Sequence, residues 1–347
     1  MRTARLLGEG RSFYHCISRV VDRRMIFKGK DKSIFRKMMR DLEAFMGVRV
    51  ITYCFMTNHF HLLIEIPDPD ELAPLSEGEL LVILPRISDP TAVRTVKEEL
   101  KRAHAEGNEA AVTAILARYE RRRGSLSQFM KELKMRMTRY MNKRLNRTGT
   151  LWESRYKSVL VEGSELALLT VAAYIDLNPV RARIVDRPED YHWCGYSEAI
   201  SGTRGSKLAR KGLGVALSES LSDPEMRTDW RRTSARYRQF LYEEGEAREA
   251  NAVTGESARS GFASESVVAV IGNQGQMPIR SVVRHRVRYF CDGLILGSFD
   301  FVEEVFERGK ASGLLDSNRE SGARKMRGAN WGSLRSYRDL RKDVISS

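Results

Sequence analysis

The sequence predicts an α+β fold: an antiparallel sheet with helices packed on one face. Three observations predict it. β-rich runs at 12–20, 48–55 and 59–66 enclose one helical pattern at 31–47. The last two runs are joined by Met56-Thr57-Asn58, a hairpin-sized connection. Helix and strand signals then recur, giving the order β-α-β-β, helix, β, helix, which is that of a ferredoxin-like sheet.

Each element has its own signal. SFYHCISRV (12–20) alternates well enough for a strand. In DKSIFRKMMRDLEAFMG (31–47), Ile34, Met38, Leu42 and Phe45 fall at helical spacing, and Gly47 makes the stop. VRVITYCF (48–55) and HFHLLIEI (59–66) are rich in β-branched and aromatic residues, and Pro67 and Pro69 end the second. Residues 70–124 begin with prolines and continue as highly charged helix, which reads as a helical insertion rather than core. The stretch 125–146 is a long helix capped by Ser125 or Ser127, with Phe129, Leu133, Met137 and Met141 on its apolar side. RTGTLWESRYKSVLVE (147–162) is a Gly-containing turn and a strand. Residues 164–185 read as a capped helix interrupted by Pro179. The expected organisation is a main domain over 1–200, a linker with a helix over 201–260, and an α/β or helical C-terminal extension over 261–347. Within the linker the helix is expected near 223–245, and the second unit starts near Ser264.

Composition narrows the function. The chain has 347 residues, 42% hydrophobic and 30% charged, which is a globular balance. No apolar run reaches the roughly 18–20 residues that span a bilayer. The N-terminal stretch has no apolar signal region, so the expected location is cytoplasmic. Four scattered cysteines lack pair spacing, which disfavours a zinc ribbon or a disulfide framework. A net charge of +14, from 59 Lys and Arg against 45 Asp and Glu, suggests a polyanionic partner. An anionic membrane fits less well, because there is no basic amphipathic anchor and no lipidation signal.

Three stretches carry chemistry. His59 and His61 stand two apart on a strand, so they share a face, with Phe60, Leu62 and Ile64 on the other. Two same-face imidazoles can hold one divalent ion, and the chain has only six histidines. The ordinary alternative is two hydrogen-bonded histidines. In AAYIDLNPVRA, Tyr174 and Asn178 are four apart and share a helix face near its end, with Asp176 facing away. The alternative there is a packed tyrosine and a C-capping asparagine. In RYMNKRLNRTGTLWESRYKS, Arg139, Lys143, Arg144, Arg147, Arg155 and Lys157 interleave with Trp152 and Tyr156. That composition suits a groove for single-stranded nucleic acid. A solvated helix face plus core aromatics is its alternative. Tyr140 and Tyr156 are rival nucleophiles by spacing, and His15 on the first strand reads as a satisfied core or edge histidine.

Together and in this order, His59-Phe60-His61, the segment Gly149–Tyr156, and Tyr174, Ile175, Asn178 and Pro179 resemble the motifs of single-tyrosine HUH transposases. The similarity is to the IS200-like branch associated with repetitive extragenic palindromes, and it covers roughly residues 10–200. The resemblance implies an HUH transposase fold and an enzyme of DNA transposition and recombination. It implies a metal-dependent single-stranded endonuclease and strand transferase acting on hairpin-bearing DNA. In that reading Tyr174 attacks a backbone phosphate, forming a 5′-phosphotyrosine and freeing a 3′-hydroxyl. His59, His61 and Asn178 would hold Mg²⁺ or Mn²⁺, and the basic stretch would bind DNA. A homodimer in the nucleoid of a bacterial cytoplasm is implied as well. Two other readings compete. One is a non-catalytic nucleic-acid-binding regulator on a ferredoxin-like domain. The other is a rolling-circle or conjugative nickase, whose motif order differs.

Overall fold

The computed structural model describes residues 6–203, 205–217, 230–242, 277–316, 318–342 and 344–346. The first strand, β1, spans Ser12–Arg19. Helix α1 follows at Gly29–Met46 and stops at Gly47, whose φ of 66° is left-handed. Strands β2 (Arg49–Phe55) and β3 (His59–Ile66) form the expected hairpin across Met56-Thr57-Asn58. Residues 70–124 are helical, as α2 (Glu77–Ile87), α3 (Pro90–Ala105) and α4 (Glu109–Glu120). Helix α5 spans Leu126–Arg144, with the Ser125 hydroxyl accepting from the Gln128 amide at 3.3 Å. Strand β4 is Lys157–Val161.

The expected helix at 164–185 is two helices, α6 (Glu165–Asp176) and α7 (Asn178–Arg181), broken at Leu177 just ahead of Pro179. Ser164 holds the N-cap position but makes no capping bond. Its hydroxyl donates to Glu162 instead. Helices α8 (Gly195–Ile200), α9 (Ser206–Ala216) and α10 (Trp230–Tyr242) complete this part. The rest of the expected linker, and the proposed start near Ser264, lie outside the described residues. Among the described residues seven short strands follow: β5 (Met277–Pro278), β6 (Arg286–Val287), β7 (Ile295–Gly297), β8 (Arg324–Lys325), β9 (Ala329–Asn330), β10 (Arg335–Ser336) and β11 (Ile345–Ser346). Short helices at Arg288–Asp292 and Phe299–Ala311 lie between them.

The α+β expectation holds. Strands β2-β3-β1-β4 pair in the ferredoxin-like order, all antiparallel. Among the described residues the sheet continues through β7, β10 and β8. The β4–β7 pair is parallel and its neighbours are antiparallel.

The even-numbered side chains of β3 point one way, and Phe60, Leu62 and Ile64 join α1 and α5 in one core. This is the helical face the sequence predicts. The inner residues of the 70–124 helices, Leu80, Leu84 and Leu100 among them, enter that same core, so the segment is not separate from it. The opposite sheet face is covered too. There Phe13, Leu63 and Val159 meet α6, α8 and α9 in a second core. His59 and His61, by strand parity, point to this second face.

Candidate active site at the histidine face of the sheet

Four ring-bearing residues meet on the second face. The rings of His59 and His61 are 5.1 Å apart. His15, from β1, stacks on His61 at 5.1 Å, with its Nε2 2.9 Å from Nδ1 of His61. Tyr174, from α6, stands edge-on to both His15 and His61 at 6.1 Å. The alternation of β3 and the pitch of α6 thus deliver two imidazoles and a phenol to one place.

Asp176 explains how α6 is held there. It faces away from Tyr174, as the helical period requires, and it is fully buried. Its carboxylate accepts from the Thr52 hydroxyl of β2 at 2.9 Å, the Tyr237 hydroxyl of α10 at 2.6 Å and the Tyr196 amide of α8 at 3.1 Å. Burial raises its pKa to about 6 against these stabilising hydrogen bonds. The tyrosine helix is therefore pinned from its back by a satisfied polar cluster.

The site is electrostatically unusual. Burial lowers the pKa of His15 and of His59 to about 4, and that of His61 well below its ordinary value, so the rings are neutral near pH 7. A neutral imidazole keeps a lone pair for a metal. Burial also pushes the Tyr174 phenol well above its ordinary value. Arg181, which opposes that rise, lies with its guanidinium carbon 4.0 Å from the ring centre. Tyr174 is only 2% exposed. Phe290 packs on it at 4.8 Å, and the Cys291 sulfur lies 3.6 Å from its hydroxyl. The groups covering the phenol are side chains, and two of the three come from the C-terminal part of the chain.

The donor set fits a divalent ion in part. His59 and His61 offer neutral nitrogens from one face of one strand. Asn178 is near by sequence, but its amide nitrogen donates to the carbonyls of Tyr174 and Ile175 at 3.3 and 3.1 Å. That bond closes the end of α6 and leaves only the amide oxygen for any ligand role. Among the described residues, no three of His, Cys, Asp and Glu form a metal cluster. The set the structure brings together is the pair of imidazoles, His59 and His61.

The basic stretch divides. Arg139, Lys143 and Arg155 are exposed. Arg144 is used internally, bonded to buried Asp31 at 2.8 Å and to the Ile26 carbonyl at 3.2 Å. Arg147 donates to the Thr150 carbonyl at 2.6 Å. Lys157 pairs with Asp292 at 2.7 Å. Trp152 departs most from the expectation of a base-stacking residue. It is 7% exposed, packs on Phe60 at 5.4 Å and donates to the Lys134 carbonyl at 3.1 Å. A ring enclosed in this way has no face for a base, so it is a core residue. Tyr156 packs against the same core, partly buried. Of the rival nucleophiles, Tyr140 is bonded to Asp31 at 3.0 Å, on the other side of the sheet from the histidines.

Three contributors, Arg181, Phe290 and Cys291, escaped the sequence reading, and His15 was read there as a core or edge histidine. His15 was legible in part, because it shares strand parity with Phe13, which lies in the second core. Arg181 stands seven residues after Tyr174, two helical turns on, and that spacing was a readable signal. Phe290 and Cys291 had no local signal, since they meet Tyr174 across more than a hundred residues.

The family model described as "Transposase IS200 like" matches residues 11–74, the segment bearing His15, His59 and His61. No curated protein matches the chain. One solved structure, described as "Structure of the REP associates tyrosine transposase bound to a REP hairpin", aligns with a TM-score of 0.36 and 11% identity, over 64% of this chain and 94% of its own. The resemblance to IS200-like transposases drawn from the motifs therefore stands, carried by residues 11–74.

Proposed function

We propose that the chain cleaves and rejoins single-stranded, hairpin-bearing DNA through a covalent 5′-phosphotyrosine on Tyr174. The observation that carries this reading is the meeting of Tyr174 with His59 and His61 on one sheet face. In the step itself the Tyr174 oxygen–phosphorus bond forms and the phosphorus–3′-oxygen bond breaks. The phenol proton is lost, and the departing 3′-oxygen gains one. Arg181 stabilises the phenolate as it forms, which lowers the barrier set by burial of the phenol. Asp176 keeps α6 in place during attack. His59 and His61, with the Asn178 oxygen, would hold Mg²⁺ or Mn²⁺. When bound, that ion supplies charge neutralisation at the scissile phosphate.

Arg139 and Lys143 are exposed cations that can meet the DNA backbone, and Arg155, also exposed, already has a partner within the protein. A second copy of the chain is the further partner the resemblance implies. Among the described residues no helix is long and apolar enough to cross a membrane.

Attack requires the side chains of Phe290 and Cys291 to swing away from Tyr174, with Arg181 staying in place. That cover is the one observation favouring the alternative, a nucleic-acid-binding regulator without cleavage. Incubating the full chain with single-stranded hairpin oligonucleotides and Mn²⁺ or Mg²⁺ separates the two. We expect cleavage that chelator abolishes. Binding that is insensitive to chelator, with no cleavage at any metal concentration, supports the regulator instead.

A further inference from the structure

Each of the two candidate metal-binding histidines makes one hydrogen bond through Nδ1, and each bond leads to a backbone carbonyl. A carbonyl oxygen can only accept. Nδ1 of His15 lies 2.8 Å from the Phe290 carbonyl, so it must carry a proton. His15 is fully enclosed. With its proton on Nδ1, a neutral imidazole has a bare Nε2 that accepts. The atom facing it, 2.9 Å away, is Nδ1 of His61, which must therefore be the donor. His61 then has its proton on Nδ1 and a lone pair on Nε2.

The second chain is independent of the first. The Asn58 amide nitrogen donates to the Arg23 carbonyl at 2.9 Å, which fixes which way the carboxamide points. Its oxygen therefore faces Nδ1 of His59, at 2.7 Å. An amide oxygen only accepts, so His59 also carries its proton on Nδ1. Two unrelated chains, one ending at Phe290 and one at Arg23, thus leave both histidines with bare Nε2 atoms.

We infer that His15 and Asn58 are positioning residues that lock His61 and His59 into the Nδ1-protonated tautomer, presenting a matched pair of Nε2 lone pairs to a divalent cation. Hydrogen bonding at one ring nitrogen decides which nitrogen is free to ligate. His15 thereby has a role beyond filling the core. The C-terminal part of the chain contributes to the site through the Phe290 backbone, whatever its side chains do over Tyr174. The ligand role rests on the metal-site reading proposed above. The tautomers do not.

The test uses the full chain, ¹⁵N-labelled at histidine and treated with chelator. Six histidines keep the spectrum assignable. Long-range ¹H–¹⁵N correlation should show protonated Nδ1 and bare Nε2 for both His59 and His61. His15→Leu should release His61 into a mixture of tautomers and weaken Mn²⁺ binding by roughly 10–100-fold. His15→Gln, whose amide can both donate to Phe290 and accept from His61, should restore both. Asn58→Ala, in a partly exposed turn, should do for His59 what His15→Leu does for His61, and it serves if His15→Leu does not fold. Protonation of Nε2 on either histidine in the parent protein overturns the inference. So do tautomers and Mn²⁺ affinity unchanged in both His15→Leu and Asn58→Ala. Correct tautomers in a parent protein that binds no Mn²⁺ support the tautomer chains and overturn the metal-site reading instead.

Discussion

The histidine face of β3 and the basic stretch 139–157 are both polar, yet they use their polar groups differently. On β3, polar and apolar residues are separated by parity. Phe60, Leu62 and Ile64 fill one core, and His59 and His61 are left to face Tyr174. In the basic stretch the two roles are mixed. Trp152 fills core, and Arg144, Arg147 and Lys157 bond within the protein. Of the expected cations Arg139, Lys143, Arg155 and Lys157 are exposed, and Lys157 is nonetheless paired with Asp292. A strict period thus separates site from scaffold, whereas composition alone cannot.

The largest stability effect is expected at Trp152. Trp152→Ala should cost about 3–5 kcal/mol in urea unfolding, as truncation of a core aromatic does, while the folded fraction binds DNA as before. A loss of DNA affinity without a loss of stability would return Trp152 to the DNA surface. His61→Ala should remove divalent-ion dependence and lower cleavage by about 100-fold or more, with single-stranded DNA binding retained. Equal activity would take His61 out of the site.

A pH effect comes next. The unfolded chain protonates His15 near 6.5, and the folded chain only near 4. Between those values the unfolded state binds more protons. The metal-free protein should therefore lose stability as pH falls from 6.5 towards 4, by about 1 kcal/mol per pH unit from this group. That contribution is fully present above 6.5. His15→Gln should flatten this part of the curve in urea titrations at pH 7 and pH 5. The smallest effects belong to the exposed cations. Arg139→Ala and Lys143→Ala should each leave cleavage chemistry intact. Each should reduce the salt dependence of single-strand binding by about 0.7 in log–log slope. An unchanged slope would mean that residue does not touch phosphate.

Legibility in the sequence followed the same division. The strands, the hairpin and α1 were readable because their signals are local: alternation in HFHLLIEI, helical spacing from Ile34 to Phe45, and Gly47 as the stop. Tyr174 and the two histidines were readable as site candidates because period fixed their faces. What local pattern could not carry was contact over long separations. Phe290 reaching His15, Cys291 reaching Tyr174, and β7 joining β4 depend on tertiary packing. Asn178 shows the limit of spacing. It lies four residues from Tyr174 as read, yet its amide turns back to cap α6 because the chain breaks at Leu177. Trp152 shows the limit of composition, because an aromatic beside arginines is equally at home in a core.

The central claim is that Tyr174 is the nucleophile served by the histidine face. The most direct measurement is to trap the covalent adduct formed with a hairpin oligonucleotide and Mn²⁺, digest it, and map the modified peptide by mass spectrometry. The account predicts DNA attached at Tyr174, and no adduct from Tyr174→Phe although that variant still binds DNA. Attachment at Tyr140 or Tyr156, or an adduct that persists in Tyr174→Phe, would contradict it.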